Sequence, residues 1–372
     1  MTLTEIPTPA VLVESSKLAR NIARMQQAVA GGGKSLRPHG KTHKSPVIAR
    51  MQIDAGATGI CCAKLGEAEV FADAGITDIR LPYPLNPANA DRVFALADRI
   101  TLSFIVDDPS VAGEWSALAV RRGRRLNVLI KVDVGFHRCG VDPHNWPETT
   151  FVVDEIAALP GLDFRGLLSH AGHGYGAASA GDAEAIAVEE ARILRDLAAA
   201  SGVTCEEISV GATPTARFSV SQPGVTEMRP GNYVYFDRTQ VGLGAAAWDD
   251  CALTVLARVV SRPARDRVIL DSGSKTLTKD LARGFTDLPG YGAVLTGVHS
   301  AAPDDRLVID NLSEEHAIVR AAGGDPGLAT GTLVRIVPNH SCVVSNLVDS
   351  VWVVDGETVV ERLPVAARGR IT

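Results

Sequence analysis

Leu36-Arg37-Pro38-His39-Gly40-Lys41-Thr42-His43-Lys44 runs from a short apolar segment into a loop dense in amine and imidazole groups, and the helix-like stretch Pro46–Ala55 follows. This strand, reactive loop and helix form a unit that recurs along the chain. Short apolar strands are predicted at Leu36–His39, Gly59–Cys62, Asp78–Leu81, Leu102–Val106, Asn127–Val132, Phe164–Ser169, Glu207–Val210 and Thr226–Arg229. Helix-like stretches alternate with them: Ser16–Ala30, Pro46–Ala55, Lys64–Ala74, Pro87–Asp98, Val111–Arg122, Trp146–Leu159, Asp182–Ser201 and Thr213–Ser221. In Asp182–Ser201 an apolar stripe of Ala183, Ile186, Ala187, Ala191, Ile193, Leu194, Leu197 and Ala198 is interrupted only by Glu190, and Gly202 supplies a stop. Eight strands alternating with helices predict an α/β fold, a (β/α)8 TIM barrel. No GxGxxG opens the first unit, so a doubly wound sheet fits less well.

From Cys251 onward strand-like runs dominate, punctuated by turns such as Asp325-Pro326-Gly327 and Asp355-Gly356-Glu357. The reading is a barrel over residues 1–245 and a C-terminal all-β domain over 246–372. Composition agrees with a globular enzyme. The 372 residues are 46% hydrophobic and 22% charged, which excludes wholesale disorder. With 37 basic and 43 acidic residues the net charge is −6, so no nucleic-acid partner is expected. No apolar run is long enough for a membrane helix, and Met1–Pro7 lacks the pattern of a signal peptide. Six cysteines without dense spacing read as reduced thiols of a cytoplasmic protein.

A TIM barrel carries its chemistry at the C-terminal ends of its strands. Those ends here are His39–Lys44, Asp133–Gly140, Ser169–Gly176, Gly211–Thr215 and Arg229–Tyr233. In Gly211-Ala212-Thr213-Pro214-Thr215 a glycine permits close backbone approach and two hydroxyls precede a helix. That arrangement suits a phosphate or a plain helix cap on Thr213. Lys41 sits beside His39, His43 and Lys44, whose positive charge would favour the neutral amine that forms a Schiff base. Lysine plus phosphate cradle fits pyridoxal phosphate, and fits an aldolase lysine with a phosphorylated sugar nearly as well.

The chain resembles the fold type III pyridoxal-phosphate enzymes, in particular the branch of D-threonine aldolase and eukaryotic-type D-serine dehydratase, with an alanine racemase-like barrel. The motifs that carry this are Thr8-Pro9-Ala10, Arg37–Lys44, Gly59–Ala68, Asp133–Gly140, Gly211–Thr215, Arg229–Tyr233, Glu315-His316 and Pro338-Asn339-His340-Ser341-Cys342. The resemblance implies that Lys41 carries pyridoxal 5'-phosphate and that Arg138 approaches its phenolic oxygen. It implies Gly211, Thr213 and Thr215 as the phosphate cradle, Tyr175 near the cofactor, and His39, Arg229, Asn232 and Tyr233 as further cofactor contacts. Arg229 is similar to the arginine that faces the pyridine nitrogen in alanine racemases.

His340 and Cys342 offer imidazole and thiolate two residues apart, on one side of an extended segment. By spacing alone this pattern is weak. The resemblance implies a divalent metal there: zinc with His-x-Cys as in the dehydratases, manganese or a similar ion such as magnesium with the His-x-Asp of the aldolases. It further implies a homodimer with shared active sites and a small D-amino acid substrate. The expected activity is a lyase acting on D-3-hydroxy amino acids. Retro-aldol cleavage to glycine and an aldehyde, with His170 or His173 as base, stands first. Dehydration of D-serine or D-3-hydroxyaspartate to a 2-oxo acid and ammonia stands second, and racemisation third.

Overall fold

The computed structural model describes residues 1–298 and 300–372. The first strand, β1 (Ala10–Glu14), precedes the barrel strands β2 (Ser35–Leu36), β3 (Ile60–Cys61), β4 (Asp78–Pro84), β5 (Thr101–Val106), β6 (Leu126–Lys131), β7 (Leu162–Leu168), β8 (Glu207–Val210) and β9 (Glu227–Met228). These eight pair in parallel in the order β2-β9-β8-β7-β6-β5-β4-β3. The two ends meet through a parallel bridge between His39 and Cys61, where the Cys61 N–H donates to the Pro38 carbonyl at 2.8 Å. The sheet therefore closes, and the barrel expected from the alternation is present.

Helices wrap the outside. Ala180–Ala200 starts on Ser179, whose hydroxyl accepts from the Asp182 N–H at 3.0 Å, and buries Ala183, Ala187, Glu190, Ala191, Leu194 and Leu197. The 3.6-residue period makes this one continuous stripe. Glu190 therefore does not break the buried face; it belongs to it.

The second sheet holds β10 (Leu253–Ala264), β11 (Arg267–Leu270), β12 (Ala293–Leu295), β13 (Leu307–Leu312), β14 (Ala317–Ala321), β15 (Leu333–Val337), β16 (Ser350–Asp355) and β17 (Thr358–Pro364). β1 joins it, antiparallel to β10 and parallel to β16. All five residues of β1 are buried, and the barrel is already closed without it. The sequence division that began the barrel at residue 1 thus misplaces this strand.

The barrel interior is partly ionic. Ile105, Leu129 and Leu168 form a small apolar layer. Elsewhere Glu227 accepts from Arg37 Nε at 2.7 Å, Arg80 Nη1 at 2.5 Å and Ser209 Oγ at 2.5 Å, while Arg80 also donates to Ser103 and Glu207. Arg37, Arg80 and Glu227 are all buried. Burial alone would raise the Glu227 pKa, but Arg80 and Arg37 overcome it and hold the carboxyl below its ordinary value. Its contribution to stability is complete above the ordinary carboxylate range and is lost as pH falls through the depressed folded value. Glu227→Ala strands two buried guanidinium groups and should cost about 3–5 kcal/mol in urea unfolding at neutral pH. An unchanged midpoint would show that the network is dispensable.

Candidate active site

Gly40–Thr42 forms a single tight helical turn beyond β2, with the Lys41 N–H donating to His39 Nδ1 at 3.3 Å. Lys44 turns away through a left-handed backbone (φ 49°) and pairs with buried Glu67 at 3.0 Å. Among the described residues, no hydrogen bond or ion pair holds the Lys41 amine. The loop thus separates a structural lysine from a free one. Burial is the main influence that lowers the Lys41 pKa; Arg138 adds to it and Cys342 pulls the other way. The sequence reading credited His39, His43 and Lys44 instead. That attribution does not hold for the histidines, because burial drives both toward the neutral form: His39 lies well below its usual pKa and His43 at about 4. His43 Nε2 meets Gln52 Oε1 at 3.2 Å, and Gln52 donates to the Tyr233 hydroxyl at 2.9 Å. Tyr233 is fully buried in this supporting chain.

The loop after β8 stands one strand away from the lysine loop, with β9 between them. The helix here begins at Ala216, with Thr215 at its cap position, so Thr213 caps nothing. The buried Thr213 hydroxyl has no partner among the described residues. Thr215 Oγ1 donates to the Ala212 carbonyl at 3.4 Å. A side chain at Gly211 would come within 3.2 Å of Arg229. A small backbone at Gly211 and an unused buried hydroxyl two residues on fit a phosphate. Tyr175 shares this corner with Thr213 and Gln240.

Arg229 is buried and anchored, donating Nη1 to Ser209 Oγ and Nη2 to the Ser169 carbonyl. Arg138 is exposed and lies over the Phe136 ring, 5.0 Å from its centre, while Phe136 packs edge-on against His170. His170 Nδ1 donates to the Gly211 carbonyl at 2.6 Å, which leaves Nε2 with its lone pair. Burial and the nearby Lys41 and Arg138 charges keep His170 neutral. His173 is half-buried near Asp133 and Gly135, and its Nδ1 has no hydrogen-bond partner among the described residues.

The β-domain delivers the remaining groups. His340 has extended backbone, but Cys342 lies in the short helix Ser341–Asn346, so the extended spacing expected for His-x-Cys is not what brings them together. The helix turn keeps Cys342 near His340, whose charge acts on the thiol. Burial opposes the Cys342 thiolate, yet His340 brings the thiol below its usual pKa. Cys342 also contacts Thr42 Oγ1 at 3.3 Å and Asn232 Nδ2 at 3.5 Å, tying the metal candidates to the residue next to Lys41. The described residues hold no cluster of three or more metal-ligating side chains. A thiol and an imidazole nonetheless suit zinc, and a two-donor set leaves positions open for substrate.

Two acidic residues at this junction are absent from the sequence reading. Buried Asp237 accepts from Asn232 Nδ2 at 2.6 Å, Ser341 N at 3.0 Å and Gln240 N at 3.0 Å, so it couples the barrel to the His340–Cys342 segment. Asp280 lies 3.4 Å from His340 Nδ1. Neither sits in a motif; their roles come from contacts far apart in sequence.

Residues 13–239 match the family described as "Alanine racemase, N-terminal domain", and residues 252–354 match a serine dehydratase domain. The chain belongs to this family. It is 36% identical over 358 residues to D-threo-3-hydroxyaspartate dehydratase of Delftia sp. strain HT23, covering 92% of both chains. It is 32% identical over 380 residues to D-threonine aldolase of Arthrobacter, covering 99% of this chain and 94% of that one. These relatives are lyases. The solved Delftia structure matches with a TM-score of 0.91 at 33% identity, covering 98% of each chain. Solved variants of that dehydratase replace a histidine and a cysteine two positions apart by alanine, the cysteine variant in a metal-free form.

Proposed function

We propose that this lyase removes water from a D-3-hydroxy amino acid, using pyridoxal phosphate and a divalent metal, zinc by the softness of its donors. The observation that carries this is the Lys41–Thr42 turn against Cys342. It puts the unpaired amine near the proposed metal donors, while His170, also near that amine, has its Nδ1 committed to the Gly211 carbonyl and His173 lies toward Gly135. When bound, the cofactor supplies an electron sink at Cα and the metal a Lewis acid at the β-hydroxyl. The chain's own residues do the rest. Lys41 holds the cofactor and then takes the Cα proton on Nζ. His340 and Cys342 would hold the metal. Gly211, Thr213 and Thr215 would bind the phosphate, with Tyr175 beside Thr213, and Asn232 supports Cys342 from the barrel side. Anchored Arg229 keeps a fixed positive charge toward the ring. The implied second copy would complete the mouth, and no described helix is long and apolar enough to cross a membrane.

Retro-aldol cleavage is the second reading, favoured by the D-threonine aldolase relative at 32% identity. It requires a base at the β-hydroxyl, a task for which His170 Nε2 is the free lone pair. Product analysis on D-threonine separates the two. Dehydration gives 2-oxobutanoate and ammonia. Glycine and acetaldehyde as the sole products would overturn it in favour of cleavage.

A further inference from the structure

Glu190 has no part in the chemistry above, yet its helix delivers it, 1% exposed, between two loops of the active site. Ser169 Oγ, at the end of β7, donates to Glu190 Oε1 at 2.6 Å. The Gly211 backbone, just beyond β8, lies near the same carboxyl group, whose buried Oε2 has no hydrogen-bond partner among the described residues. The next residue after Ser169 is His170, and its Nδ1 grips the Gly211 carbonyl at 2.6 Å. Glu190 thus holds Ser169, and the adjacent His170 holds the Gly211 carbonyl, so the carboxyl reaches the loop through Ser169 and its neighbour. Arg229 fastens the Ser169 carbonyl from within the barrel.

We infer that Glu190 is a positioning residue that sets the Gly211–Thr215 loop for the phosphate of the cofactor, acting through Ser169 and Gly211. The inference rests on the pyridoxal-phosphate reading above. Glycine at 211 is free to take many backbone conformations, so an unclamped loop would lose the arrangement that points Thr213 and the backbone N–H groups at one anion. A carboxyl group in an otherwise apolar helix face is costly unless its oxygens are used, and the Ser169 hydroxyl uses Oε1 while Oε2 stays buried beside the Gly211 loop.

The clamp acts on the phosphate and not on the pyridine ring, which gives a readout beyond activity. The full-length protein is stripped of cofactor and titrated with pyridoxal phosphate and, separately, with pyridoxal, following the absorbance of the Lys41 adduct. Glu190→Met should weaken pyridoxal phosphate at least tenfold and pyridoxal less than twofold. Ser169→Ala should move the same ratio in the same direction, and the double variant should add little to Glu190→Met. Glu190→Gln, which keeps an acceptor for Ser169, should recover most of the affinity. If Glu190→Met fails to fold by circular dichroism, Ser169→Ala and Glu190→Gln carry the comparison. Equal weakening of both ligands, or no weakening of either, overturns the inference. A wild-type protein without a Lys41-dependent band overturns the cofactor reading instead.

Discussion

Lys41→Ala is expected to lower kcat by about 10⁴-fold or more and to remove the absorbance of the bound cofactor. On the proposed function one side chain carries two tasks, attachment of the cofactor and transfer of the Cα proton. The structure offers no substitute. Lys44 lies three residues on but is locked to buried Glu67, and Lys131 donates to the Val132 carbonyl. His39 receives the Lys41 backbone N–H on Nδ1 and is held neutral by burial. The control is Lys44→Ala, which breaks a buried pair and should reduce stability while leaving the band in the folded fraction. Spectra and single-turnover rates on both variants check this. A band that survives in Lys41→Ala but vanishes in Lys44→Ala would reverse the two assignments.

The barrel was legible because its strands are short apolar runs between helices, and predicted runs such as Glu207–Val210 coincide with the observed strand. The ends of the sheet were less so. β2 and β3, which form the two ends, and β9 beside β2 contribute only two residues each, and Arg37 after β2 and Glu227 in β9 turn inward to form an ion pair. A polar interior weakens the very pattern from which strands are read. β1 escaped for a different reason. Its partners are β10 and β16, about 240 and 340 residues away, and local periodicity carries no record of such pairing.

The site shows the same division. Lys41, Gly211–Thr215 and His340-Ser341-Cys342 stand out because their residue types imply chemistry. Asp237 does not, since its importance lies in accepting from Asn232 and Ser341 at once. Glu190 was visible as an anomaly in an apolar stripe, but only the fold shows that the anomaly reaches the active-site loops. The local conformation of His340–Cys342 was misread because alternation in a strand and a helix start can both bring residues i and i+2 together.

Cys342→Ala and His340→Ala should each yield protein that retains the Lys41 absorbance but has lost most of its bound divalent metal, with turnover down about 10³-fold. The separation follows from the architecture. Lys41 and the phosphate loop belong to the barrel, whereas both proposed metal donors enter from the β-domain after β15. With only two protein donors, deletion of either leaves one, too few for tight binding. Thr42 and Asn232 would keep the local packing, so the folded state should survive. Elemental analysis after dialysis measures the metal, and D-threonine assays with and without added zinc measure the activity. Full metal occupancy and full turnover in both variants would place the metal elsewhere. Loss of metal with unchanged turnover would make the ion structural and leave the departing hydroxyl to another acid, for which Tyr175 in the same corner is the residue to test next.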